Sequence, residues 1–172
     1  MKKLLLTAAI AVFGIIGTQA QEVKFGAKAG YLNATAKVDT PEGDISNSES
    51  GFYVGALVDI GINESFHIQP EVLYGSANDA SLLFIPIMAK YYVGDSGLSL
   101  MAGPQGTLDL EDSVDGYNSF GIDVAFGIGY DITENFFVDA RYSLELTNRF
   151  EDAGDDVKGH INALQIGVGY KF

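Results

Sequence analysis

An all-β fold is what this sequence predicts: an eight-stranded antiparallel up-and-down barrel that crosses a membrane around a polar packed lumen. Three observations predict it. Beyond Glu22, period-2 alternation of apolar and polar side chains appears eight times, and no stretch keeps a helical period. The connections alternate between tight turns and longer polar segments. The chain also ends on a strand, Leu164 to Phe172, with one wholly apolar face.

The first twenty residues stand apart. Lys2 and Lys3 precede an apolar run from Leu4 to Gly17 broken only by Thr7, and Thr18-Gln19-Ala20 places small residues where a signal peptidase reads. That run falls short of the roughly 20 residues of a helical span. The expected organisation is a signal peptide, 1–20, and one barrel domain, 21–172. The chain has no cysteine, which excludes a lipidated N-terminal cysteine, a disulfide framework and thiol chemistry.

Each strand declares itself by its apolar face. The first carries Val23, Phe25, Ala27, Ala29 and Tyr31; the second Phe52, Val54, Ala56, Val58, Ile60 and Ile62; the third Phe66, Ile68, Pro70, Val72 and Tyr74. The fourth carries Leu83, Ile85, Ile87, Ala89, Tyr91 and Val93, and the fifth, the weakest, Leu98, Leu100, Ala102 and Pro104. The sixth has Phe120, Ile122, Val124, Phe126, Ile128 and Tyr130, and the seventh Phe136, Val138, Ala140, Tyr142, Leu144 and Leu146. Leu164, Ile166, Val168, Tyr170 and Phe172 complete the eighth. These faces hold no charge, amide or glycine. Between the strands, residues 63–65, 94–97 and 131–135 read as tight turns, and 33–50, 75–81, 107–119 and 147–160 as long polar loops.

Three features direct the apolar face to lipid. The opposite face is rich in glycine, which suits the crowded inside of a narrow barrel. Its charges balance, Lys24, Lys28, Lys90, Arg141 and Lys171 against Asp59, Glu71, Asp123, Asp139 and Glu145. Aromatics, among them Tyr31, Phe52, Tyr130 and Phe136, sit near strand ends as in interfacial girdles. An eight-stranded lumen is just wide enough for side chains to fill. Buried ions must pair, so Lys28, Asp59, Glu71, Lys90, Asp123, Asp139 and Arg141 are expected to form a structural lumen network, with Arg141 reaching Asp139 and, across strands, Asp123. Gln69, Gln105 and Gln165 can add hydrogen bonds, and Gln105→Glu reads as a mild change. The terminal set Leu164, Ile166, Val168, Tyr170 and Phe172 is expected to serve as the signal read by the barrel-assembly machinery.

Several segments also read together: Phe25-Gly26-Ala27-Lys28-Ala29-Gly30-Tyr31, Gln69-Pro70-Glu71-Val72-Leu73-Tyr74, Ile85-Pro86-Ile87-Met88-Ala89-Lys90-Tyr91-Tyr92, Ala102-Gly103-Pro104-Gln105, Gly127-Ile128-Gly129-Tyr130 and Asp139-Ala140-Arg141-Tyr142. In this order they resemble the PorT-like outer-membrane β-barrel family common in Bacteroidetes, over nearly the whole mature chain. The resemblance implies an eight-stranded barrel in the outer membrane of a Gram-negative bacterium. The family's namesake is linked to protein secretion. Here Thr147 to Gly159 departs from the Gly-Leu-rich ending that follows the Arg-Tyr motif, so a secretion role is not carried over.

Charge bounds the partners. Without Lys2 and Lys3, 8 basic residues face 23 acidic ones, a balance of −15. No basic stripe exists to neutralise phosphates, so nucleic acid is excluded. The expected partners are outer-membrane lipid, the assembly machinery, and a protein bound through the acidic loops. Asp39, Glu42, Asp44 and Glu49 lie in the first loop, Asp109, Glu111, Asp112 and Asp115 in the third, and Glu151, Asp152, Asp155 and Asp156 in the fourth. The run from Asp109 fails the calcium-loop spacing because its twelfth position is Phe120. No metal site, cofactor or catalytic residue is expected. His67 reads as a satisfied lumen residue. His160 beside Asp155 and Asp156 could activate water, but no supporting constellation assembles. A small outer-membrane barrel with a structural or interaction role, both termini periplasmic and no wide pore, is therefore the expectation. The alternatives are a secreted soluble barrel around an apolar ligand and an outer-membrane hydrolase with its site in the loops.

Overall fold

The computed structural model describes residues 22–41, 43–78, 80–111, 117–150 and 158–172. The expected signal peptide lies outside these, as do Glu42, Asp112, Asp115, Glu151, Asp152, Asp155, Asp156 and the side chains of Asp39 and Asp44. Eight strands follow one another: β1 (Val23–Thr40), β2 (Gly43–Gly61), β3 (Phe66–Ala77), β4 (Ala80–Tyr92), β5 (Leu98–Asp109), β6 (Phe120–Asp131), β7 (Phe136–Glu145) and β8 (Lys158–Lys171). Each pairs antiparallel with the next, and β8 returns to β1, closing the barrel. No helix long and apolar enough to cross a membrane is present among the described residues.

Tight turns form where Asn, Thr, Ser and Gly cluster. Asn63 Oδ1 accepts the backbone N–H groups of Ser65 and Phe66, and Thr133 Oγ1 those of Asn135 and Phe136. These side chains satisfy donors that the ladder leaves free at a strand start. In the β4–β5 turn Gly94 and Gly97 take positive φ, 58° and 74°, where a Cβ is disfavoured.

The apolar set faces outward on every strand. Phe25, Val54, Val72, Ile87, Leu100, Val124, Phe126, Ile128, Ile166 and Val168 are exposed, while the alternating set faces a filled lumen. A soluble barrel would reverse this, so the outward apolar wall runs against the apolar-ligand alternative.

Two expected loops are strand instead. Residues 33–50 continue as a paired hairpin, with β1 and β2 in register to Thr40↔Gly43, and residues 75–81 belong almost wholly to β3 and β4. The alternation persists there with its polarity inverted. Leu32 and Ala34 point in and are buried, whereas Asn33 and Thr35 point out and bond Ser50 and Ser48 across the pair. Leu32, Ala34, Tyr53, Leu73, Ala77, Leu82, Phe84 and Ala163 make an apolar core at this end. Beyond the bilayer the surroundings are water, so the wall takes the pattern of a soluble barrel. Strands of 18 and 19 residues also far exceed the 9–11 that a tilted strand needs to cross.

Candidate functional site

The lumen holds three polar tiers. The middle one joins strands on opposite walls. Arg141 on β7 donates from Nη1 to Glu71 Oε2 (2.8 Å) and from Nη2 to Glu71 Oε1 (2.6 Å) on β3, and again from Nη2 to Asp139 Oδ2 (2.7 Å). Lys28 on β1 donates to Asp139 Oδ2 at 2.5 Å and lies 3.7 Å from Glu71 Oε2. Gln69 Nε2 donates to Glu71, and the Lys28 ammonium lies 5.4 Å from the Tyr53 ring centroid. Two cations meet two carboxylates, all four buried. The fork of the guanidinium suits it to hold one carboxylate by two bonds while bridging to a second.

Nearer the tight turns, Lys171 Nζ donates to Asp131 Oδ2 (2.7 Å) and lies 3.4 Å from Asp59 Oδ2. Lys90 reaches Asp131 Oδ1 at 3.4 Å and sits 4.7 Å from the Tyr92 ring centroid, while the Tyr92 hydroxyl donates to Asp131 (2.8 Å). His67 Nδ1 lies 2.6 Å from Asp59 Oδ1. Glu22, Lys24, Glu64, Asp95 and Glu134 rim a cavity of about 260 Å³ at this mouth.

The third tier lies toward the opposite mouth. Asp123 Oδ2 accepts from Gln105 Nε2 (2.8 Å) and from the Thr107 hydroxyl. Above it the segment after β7 folds inward and drops Arg149 into the barrel. Its Nε donates to Glu145 Oε1 (2.8 Å), Nη1 to the Ser119 carbonyl (3.0 Å) and Nη2 to the Thr107 carbonyl (3.3 Å). Asn148 Oδ1 braces the segment by accepting the N–H groups of Phe150 and Gly159. Gly121 makes the room, since a Cβ there would strike the Glu145 carboxylate and the Arg149 guanidinium. Burial pushes the phenol of Tyr117, which packs against Arg149, up from its ordinary pKa.

Lys28, Glu71, Asp139 and Arg141 are thus together, Asp59 and Lys90 occupy a separate tier, and Asp123 stands by itself. The expected Arg141–Asp123 pair is not made. Register places Arg141 opposite Gly127 and Asp123 opposite Glu145, four residues along, or about 13 Å of strand. Arg149 and Asp131 were not legible as lumen residues, because one follows a strand in an acidic segment and the other reads as a turn. The signal for Arg149 was its being the one basic residue between Thr147 and Val157. His160 Nδ1 lies 3.0 Å from the Thr147 carbonyl oxygen. At the closing seam the Phe172 N–H donates to the Phe25 carbonyl (2.8 Å), and the Phe136, Tyr170 and Phe172 rings stack edge to face.

No curated protein matches the chain in sequence. Among solved structures, Neisserial surface protein A is similar at a TM-score of 0.55 and 23% identity, over 88% of this chain and 99% of that one. Ail, the attachment invasion locus protein of Yersinia pestis, solved with the heparin analogue sucrose octasulfate, is similar at 0.52 and 17% identity over the same shares. At such identities the likeness speaks for the fold. The sequence model of the outer membrane protein beta-barrel domain matches residues 5–172. With an outward apolar wall, a closed eight-stranded ring and that match, the chain belongs to the outer membrane protein beta-barrel domain family and is a small barrel of the outer membrane.

Proposed function

We propose that this barrel is a structural or interaction protein of the outer membrane that is neither a wide pore nor an enzyme. The observation that carries the reading is the knot of Lys28, Glu71, Asp139 and Arg141. It ties β1 and β3 to β7 across the lumen, where a continuous water path would have to run. Opening such a path would strand buried charges. On the segments quoted above we place the chain among PorT-like barrels, with its termini in the periplasm and its long hairpin outside the cell.

The hairpin supplies the interaction surface. β2 pairs with β3 only from Gly51 onward, so among the described residues Gly43 to Ser50 has no strand along its outer edge. Such an edge accepts an extended segment of another protein. Ail was solved with a polyanion, but the loops here are acidic, so a basic protein segment fits this surface and a sulfated sugar is repelled.

A pull-down from native outer membrane tests the reading. Wild type should retain protein partners, and a variant with residues 34–49 replaced by a short turn should lose them while still folding. In planar bilayers the wild type should give no steady conductance. Steady conductance of a wide pore, or identical partners with and without the hairpin, would overturn it.

A further inference from the structure

Among the described residues the lumen charges close into neutral groups with one exception. Lys28 and Arg141 balance Glu71 and Asp139, Lys90 and Lys171 balance Asp59 and Asp131, and Arg149 balances Glu145. Asp123 is left over. It is buried, and among the described residues it makes no ion pair, although every Lys and Arg after Lys3 lies among them. Register sets it directly opposite Glu145, carboxylate beside carboxylate on neighbouring strands. The one guanidinium nearby is engaged with Glu145 and two backbone carbonyls. Asp123 Oδ2 is occupied by Gln105 and Thr107, but Oδ1 is buried with no hydrogen-bond partner among the described residues. Ser143 Oγ, on the same inward face two residues before Glu145, is also buried and has no partner among the described residues. Its neighbours across the pairs are Ala125 and Ala163, both small and buried.

A buried carboxylate without a positive partner is unstable in a low-dielectric interior. We infer that Asp123 Oδ1 and Ser143 Oγ bind a small monovalent cation of the sodium type, which completes the neutrality of this tier beneath the Arg149 latch. A single missing charge and one free carboxylate oxygen suit a monovalent ion with hydroxyl and water ligands. Divalent ions take several carboxylates, and no group of three or more acidic or histidine side chains able to hold one occurs among the described residues.

Thermal unfolding of the whole folded protein in detergent tests this, with NaCl compared against choline chloride at equal ionic strength and pH. Choline is too large for the site and equalises screening of the acidic loops. The wild type should gain a few degrees in Tm in sodium, with a saturating dependence, since a ligand bound by the native state raises its stability. Asp123→Asn should lose that difference. Ser143→Ala keeps the charge and removes one ligand, so it should shift the sodium dependence several-fold to higher concentration. The wild type may be read without any variant: equal Tm in sodium and choline, or a Tm set by pH alone because a proton neutralises Asp123, overturns the inference. So does a sodium response that survives unchanged in either variant.

Discussion

Arg141 shows how much of a lumen residue's meaning lies in its partners. It holds Glu71 by two bonds and Asp139 by a third, so Arg141→Ala leaves two buried carboxylates with Lys28 alone. A loss of about 3–5 kcal/mol is expected for breaking so buried a group, measured by urea unfolding in detergent. A double-mutant cycle should find strong coupling of Arg141 to Glu71 and none to Asp123, which sits at another level. Gln105→Glu, mild on the sequence reading, becomes severe. Gln105 is directly opposite Asp123 and donates to it, so a glutamate adds another charge beside two carboxylates. On the outer wall Val124 is exposed to lipid, and Val124→Arg should lower folding stability by about 2–4 kcal/mol near the midplane. Refolding yields into lipid vesicles would report it, and wild-type yields would show that this face does not meet lipid.

At the level of elements, β8 carries the closure. It pairs with β7 on one side and β1 on the other, and the Phe172 N–H makes the last bond of the seam. An open edge in lipid leaves backbone groups costing several kcal/mol each. Deleting Phe172 removes one such bond and an aromatic anchor while seven strands stay intact. The expected outcome in cells is a drop in assembled protein larger than any change in the unfolding of molecules that do assemble; an unchanged yield would show that Phe172 carries no assembly signal. Gly30 sits on the same seam, where a Cβ would strike the Ile166 carbonyl. Gly30→Val should therefore weaken β1–β8 pairing, read as loss of the compact, heat-modifiable band on a gel.

For the whole molecule, the apolar belt requires extraction by detergent and not by alkaline carbonate, from the outer-membrane fraction. The proposed orientation makes a sharper prediction. An epitope inserted at the hairpin tip near Pro41 should be labelled on intact cells, whereas one appended after Phe172 should be labelled only after permeabilisation. The reverse pattern would invert the topology and move the open β2 edge into the periplasm.

The number of strands, their faces and the tight turns were legible in the sequence, because alternation is a local property and lipid tolerates no exception to it over a span. The inward direction of Lys28, Asp59, Glu71, Lys90, Asp123, Asp139 and Arg141 followed from the same phase. Which of them meet did not, since contact across a lumen depends on strand stagger, and register alone separates Arg141 from Asp123. The hairpin was hidden for a related reason: where the wall leaves the bilayer its polarity inverts, and polar outward residues read as loop. Arg149 entered the lumen only through tertiary packing, by a segment without periodicity folding back over Gly121. The balance of charges, and the one carboxylate it leaves over, is a property of the closed barrel.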